Sequence, residues 1–157
     1  MRVAPVSPTV LSQLLSVARP ITEPIGAVLF RHNKPALGIF LICKGSVRMW
    51  LEGEHGELIW ERTATSDSIL GLPGTLSGGR YSLTAVVLEK SDLAFVDRSA
   101  LLELIQNDTS VGLELMRALG EEIVQMRALY GIRALTEPEF ASSRSKGQAF
   151  IPSPTEN

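Results

Sequence analysis

Between Val28 and Val96 the chain advances in short apolar runs, AVLF, LGIFLICK, SVRMWLE, ELIWERT, SLTAVVL and DLAFV, separated by HNKP, KG, GEHG and GLPGTLSGGR. Runs of this length bounded by Gly, Pro, Asn and His are too short for helices and predict strands joined by turns. Six or more such strands need a second layer to bury their apolar faces, which predicts a mainly β fold, a sandwich or jelly roll (double-stranded β-helix). Within SVRMWLE, Val47, Met49 and Leu51 alternate with Arg48, Trp50 and Glu52, the period of a strand buried on one face. If the GEHG turn sits midway, Trp50 and Trp60 fall opposite each other as a cross-strand aromatic pair, worth up to about 1 kcal/mol.

Helical signals flank the strands. Ser7-Pro8 followed by Val10, Leu11, Leu14, Leu15 and Ala18 predicts a short amphipathic helix, with serine as cap, proline in the first turn and a stop before Pro20. Asp97 caps a second short helix carrying Leu101, Leu102, Leu104 and Ile105, and Asp108 to Ser110 cap a third. The third runs from about residue 110 to 135, with Leu115, Leu119, Ile123, Met126 and Tyr130 spaced by three or four along one stripe. A helix of about 26 residues is near 39 Å long, more than a small barrel can cover, so its surplus predicts a partner. Residues 8–135 thus form one domain, and the small, polar, proline-containing stretch 136–157 reads as a mobile tail.

Composition narrows the functional classes. The chain has 157 residues, 45% of them hydrophobic, with 15 Lys+Arg against 17 Asp+Glu. That is enough for one real core, and a net charge of −2 withholds the basic surface of a self-sufficient nucleic-acid binder. Direct DNA binding by these residues is therefore not expected. No apolar run reaches the roughly 18 to 20 residues of a membrane span and the N-terminus lacks a signal-like stretch, so the expected location is the cytoplasm, with no membrane partner. Cys43 is the single cysteine and reads as a small core residue. His32 and His55 lie in turns with no second ligand at a suitable spacing, so no metal is expected. No Ser/His/Asp or Cys/His set and no phosphate-binding GxxxxGK[ST] occurs, and the chain does not read as an enzyme. No internal repeat is visible.

The segment GLPGTLSGGRYSLT, residues 71–84, is either an anion cradle or an elaborate turn: glycines let backbone N–H groups converge on an anion, and an arginine can meet two phosphate oxygens. The order of elements around it resembles the cyclic-nucleotide-binding domain of the Crp/Fnr transcription regulators. IFLICKGSVRMW is similar to that family's strand, Lys-Gly turn and strand. DSILGLPG stands where its phosphate-binding cassette begins, and YSLTAVVLEKSDLAFVDRSALLELI is similar to the strand pair and helix that follow. The resemblance covers about residues 8 to 135.

It implies a cyclic nucleotide, cAMP or cGMP, as the ligand class, bound at Gly71, Leu72, Arg80, Tyr81, Ser82 and Thr84, with Gln125, Met126 and Arg127 of the long helix beside it. It also implies a parallel homodimer along that helix, with Leu119, Ile123, Met126 and Tyr130 as seam. Two positions depart from the family. Its ribose-binding glutamate is replaced by Leu72, followed by Pro73. Its phosphate arginine falls on Tyr81 when aligned backward from the later strands and on Ser82 when aligned forward from Gly71, with Arg80 adjacent as a conditional substitute. Losing that pair removes several charge-assisted hydrogen bonds, each worth about 1.5 to 3 kcal/mol. The family's winged helix-turn-helix has no counterpart after Leu135. The expected function is a sensor domain of a Crp/Fnr-type regulator with a degenerate cassette, the alternative being a ligand-free dimerisation or protein-interaction scaffold.

Overall fold

A computed structural model of the chain describes residues 2–136, with side chains as far as Val124. The stretch from 137 onward lies outside the described residues, as do the side chains of Gln125, Met126, Arg127 and Tyr130. The elements in order are α1 (Pro8–Ser16), β1 (Arg19–Glu23), β2 (Val28–Phe30), β3 (Gly38–Lys44), β4 (Val47–Glu52) and β5 (Leu58–Ala64). They continue with β6 (Ile69–Leu70), α2 (Leu72–Ser77), β7 (Thr84–Val87), β8 (Ser91–Asp97), α3 (Arg98–Asn107) and α4 (Thr109–Thr136). Two compact units are present, residues 1–122 and 123–157, so the sheets and the opening turns of α4 belong to the first. Among the described residues no helix is long and apolar enough to cross a membrane.

The strands form two antiparallel sheets, ordered β1-β8-β3-β6 and β2-β7-β4-β5. This is the expected jelly roll: apart from the β4–β5 hairpin, successive strands alternate between layers, and each layer buries what the other cannot cover alone. Ile39, Leu41, Val47, Met49, Ala85, Val87 and Val96 are almost wholly buried in the core. A fully buried aliphatic side chain of this size contributes about 1.5 to 3 kcal/mol relative to exposure.

The predicted caps are present. The Ser7 hydroxyl accepts from the Val10 N–H (3.2 Å), and Asp97 Oδ1 accepts from Ala100 N–H (2.9 Å). Asp108 Oδ1 accepts from Ser110 N–H (3.0 Å) at the start of α4. Ser7 also donates its N–H and hydroxyl to the two Glu114 oxygens, each at 2.8 Å, which ties α1 to α4. Those two bonds hold the Glu114 carboxyl below its ordinary range. The first residues are an addition to the sequence reading. Val3 is buried, its N–H donates to Ser68 Oγ (2.8 Å) and its carbonyl accepts from Ile69 N–H (2.8 Å), so the N-terminal arm is fastened beside β6.

Two expectations are corrected. Trp50 pairs with Glu61, and Trp60 with Leu51. The hairpin closes with Gly53 N–H on the Glu57 carbonyl (2.8 Å) and an irregularity follows Leu51, one residue away from the assumed register. A shift of one residue reverses the face of every side chain, so the tryptophans do not meet. Trp60 is buried, whereas Trp50 lies outside under the Arg48 guanidinium, 4.4 Å from its ring centroid. Cys43 is exposed and not a core residue, because β3 breaks register between Ile42 and Lys44.

Candidate functional site

The cassette segment is a helix and not an open loop. Gly71 (φ 85°) and Gly78 (φ 73°) flank α2 in the left-handed region, which turns the chain sharply into and out of six helical residues. A side chain at Gly71 would also meet the Tyr81 ring at 2.8 Å. At the far end the Arg98 Nε–H donates to the Thr75 carbonyl (2.8 Å), satisfying one of the free carbonyls of the last turn. Leu72, Gly74 and Thr75 are buried, so α2, which Pro73 in its first turn suits, is held by its packing despite Gly74.

Around this frame the proposed ligand residues divide by face. Leu72 is 0% exposed, its side chain part of the core. Tyr81 is buried, stacked on Phe30 with centroids 4.1 Å apart. Its hydroxyl donates to the Gly38 carbonyl (2.6 Å) and accepts from the Gly38 N–H (3.3 Å). Burial pushes the phenol above its ordinary range, against the bonds to the 37–38 backbone. It is thus a neutral group committed to the protein's own backbone.

Arg80, Ser82 and Thr84 take the other phase. Arg80 is exposed, and its guanidinium donates to the Asn33 carbonyl (2.8 Å). Thr84 Oγ1 accepts from the His32 N–H (3.0 Å), and the Ser82 carbonyl lies 3.1 Å from His32 Nδ1. These three positions therefore fasten the 31–36 loop to the cassette strand. Arg127 lies outside the residues with described side chains.

A second cluster was missed by the sequence reading. Along β5, Trp60, Arg62 and Ala64 alternate with exposed neighbours and point inward. Along α4, Val111, Leu115, Ala118 and Glu122 are the buried positions, at helical spacing. The two series meet in an ion pair: Arg62 Nη2 donates to Glu122 Oε2 at 3.0 Å, with the side chains only 4% and 8% exposed. Arg62 also lies over the Trp60 ring, 5.0 Å from its centroid. Glu122 Oε1 and Trp60 Nε1 are buried without a hydrogen-bond partner among the described residues. Burial accordingly pushes the Glu122 carboxyl above its ordinary range, with the Arg62 charge pulling the other way. The signal that could have found the pair is a charge at the inward phase of each element, Arg62 two residues after Trp60 and Glu122 four after Ala118.

Among the described residues no group of His, Cys, Asp and Glu is placed to hold a metal ion. The cassette links β6 to β7, and the ion pair links β5 to α4.

The comparisons with known proteins follow the same outline. A family model described as cyclic nucleotide-binding domain matches residues 24–108. The catabolite activator protein of Thermus thermophilus is similar in structure, with a TM-score of 0.73 and 20% identity, over 82% of this chain and 60% of that one. The sensor domain of the transcriptional regulator DNR from Pseudomonas aeruginosa gives a TM-score of 0.61 and 22% identity, over 76% of this chain and 81% of that one. FixK2 from Bradyrhizobium japonicum gives 0.60 and 19%, over 68% of this chain and 52% of that one. This chain therefore spans less than two thirds of the first and third of these proteins, and at such identities the likeness is one of fold. No curated protein matches the chain by sequence.

Proposed function

Because the chain belongs to the cyclic nucleotide-binding domain family, which its residues 24–108 match, we propose that it is the ligand-sensing domain of a Crp/Fnr-type transcription regulator, cytoplasmic and without enzymatic activity. The observation that carries the reading is the cassette: its frame is kept, a glycine-capped helix between β6 and β7, while its anchors are turned to internal use. Leu72 fills the core where the family has a ribose-binding glutamate, and Tyr81 is bonded to Gly38 where alignment from the later strands puts the phosphate arginine. Such a cassette keeps the shape of a cyclic-nucleotide site and lacks its charge-assisted bonds. Arg80 is not a replacement in this conformation, since it points outward to Asn33.

The output runs through α4. The Arg62–Glu122 pair ties this helix to the inner face of β5, so a ligand that favours one arrangement of that contact shifts the population of helix orientations. The helix is the homodimer element in this reading. Leu113 (63% exposed) and Met116 (66%) in the first unit, and Ile123 (49%) and Val124 (66%) in the second, are large apolar groups left in contact with water. Met116 and Leu119 also line an apolar groove of about 410 Å³ with Leu76, Leu102 and Ile105. Exposed apolar area of this kind favours a partner surface. A net charge of −2 gives these residues little electrostatic attraction for DNA, which favours action through the dimer.

The chain is accordingly expected to sediment as a dimer, and Ile123→Glu as a monomer that still unfolds cooperatively, at a melting temperature no longer dependent on protein concentration. A variant that stays dimeric removes Ile123 from the seam, and a monomeric wild type removes the dimer. The internal engagement of Leu72 and Tyr81 favours a second reading, a ligand-free dimerising scaffold, which predicts the same sedimentation and no small-molecule response.

A further inference from the structure

Between the first strands of the two sheets lies a cavity of about 500 Å³ that the cassette does not account for. Its size is that of a small-molecule site, commonly about 300 to 1,000 Å³. One wall is a continuous row of rings. Tyr81 stacks on Phe30 at 4.1 Å, Phe30 lies 5.9 Å from Phe40, and Phe40 lies 4.9 Å from Phe95. Arg19 closes the row, its guanidinium 5.3 Å from the Phe95 centroid.

The cavity's charge has one sign. Arg19, Arg31 and Lys34 line it, and no Asp or Glu does. Arg19 has an acidic neighbour: the Asp97 carboxyl is held down by its hydrogen bonds from Ala100 and Ser99, to which the charge of Arg19 adds. Arg31 and Lys34 are exposed, and neither takes part in the ion pairs of the described residues. The mouth is apolar, with Leu37 70% exposed and Val28 42% exposed. A ring-lined cleft with two uncompensated cations at its rim matches a ligand with a flat apolar body and an acidic head. An inorganic anion would leave the ring wall and Leu37 in water, and a neutral hydrocarbon would leave the cations unused. The site stands apart from the nucleotide reading, because among the cavity's lining residues only Tyr81 comes from the 71–84 segment.

We infer that this cleft binds an aromatic carboxylate, its ring system against Phe40 and Phe95 and its carboxylate between Arg31 and Lys34. The test uses 1-naphthoate as the probe, titrated into the isotope-labelled full chain and followed by amide shifts. Expected are saturable shifts at residues 28–37 and at Phe95, an affinity about tenfold weaker in Arg31→Glu/Lys34→Glu, and no binding of the cationic isostere 1-naphthylmethylamine. Should the double charge reversal fail to fold, Arg31→Gln alone is expected to weaken binding about threefold. Shifts that do not saturate by about 5 mM probe, saturable shifts confined to the groove between α2, α3 and α4, or equal affinity in the charge-altered variants would overturn the inference. The outcome is independent of any response to cyclic nucleotides.

Discussion

Glu122→Ala is expected to lower folding stability by about 3 to 5 kcal/mol, a large fraction of what a domain of this size possesses. The carboxylate sits at a buried position of α4, and its Oε2 accepts from Arg62 Nη2 at 3.0 Å. The guanidinium on the other side of this contact is 4% exposed, so the bond is lost in a site largely shut off from water. Glu122→Gln keeps an acceptor of the same shape and is expected to cost less. Chemical denaturation of the three proteins, monitored by tryptophan fluorescence, gives the comparison.

The pH dependence separates charge from shape. The Glu122 carboxyl is raised in the folded state by burial. A raised folded value means that its contribution is fully present below the unfolded value of about 4.3 and is lost as pH rises through the folded one. The wild type's advantage over Glu122→Gln should therefore shrink from about pH 4 upward. Asp97, Asp108 and Glu114 run the other way, since hydrogen bonds lower each of them, so what they contribute is lost as pH falls. They are common to both proteins and cancel in the difference. An advantage that grew with pH would contradict the burial account of Glu122.

Leu72→Ala is the second large effect, expected at about 2 to 5 kcal/mol from the lost apolar contact and the cavity left behind. Leu72 is 0% exposed at the first turn of α2, beside buried Gly74 and Thr75. Were Leu72 a wall of an open ligand site, the truncation would cost much less, because solvent would already reach the side chain. The companion variant Leu72→Glu places the family's carboxylate at the position where it is absent. It is expected to destabilise at least as much as alanine, because the pocket is apolar and a buried charge without a partner is more costly than a cavity. Melting curves measure both, and a stable Leu72→Glu protein would show that the side chain can turn toward solvent.

The residues themselves explain why parts of this architecture were legible in sequence. β4 announces its buried face through Val47 and Met49, with Leu51 half-buried where the pairing turns irregular, and Ser7-Pro8, Asp97 and Asp108 announce helix starts, because these signals are local. β1, Arg19–Glu23, carries no such alternation and contains Pro20, yet as an edge strand it pairs only with β8 and tolerates a residue with no N–H. β6 is two residues long and exists through its pairing with Phe40 and Leu41 of β3. The helix at LPGTLS starts with a well-placed Pro73 but contains Gly74 and only six residues, and it forms because Leu72 and Thr75 are buried by the surrounding structure. Trp50 and Trp60 show how one irregular residue in a hairpin reverses an inference about faces. The cassette's place was legible from the resemblance. The inward turn of Tyr81 and the outward turn of Arg80 are set before β7 begins, by the Tyr81 hydroxyl on Gly38 and by a single bridge between Arg80 and Pro35, pairings that no local pattern announces. Arg62 and Glu122 are 60 positions apart, and no local pattern pairs them.

The central claim is that the cassette survives as a frame while its nucleotide grip has been replaced by core packing and backbone bonds. Calorimetric titration of the full chain with cAMP and with cGMP tests it most directly. The account predicts no saturable heat and no rise in melting temperature at about 1 mM of either nucleotide. Stoichiometric binding in the micromolar range would contradict it, and would mean that other groups supply the contacts Leu72 and Tyr81 cannot.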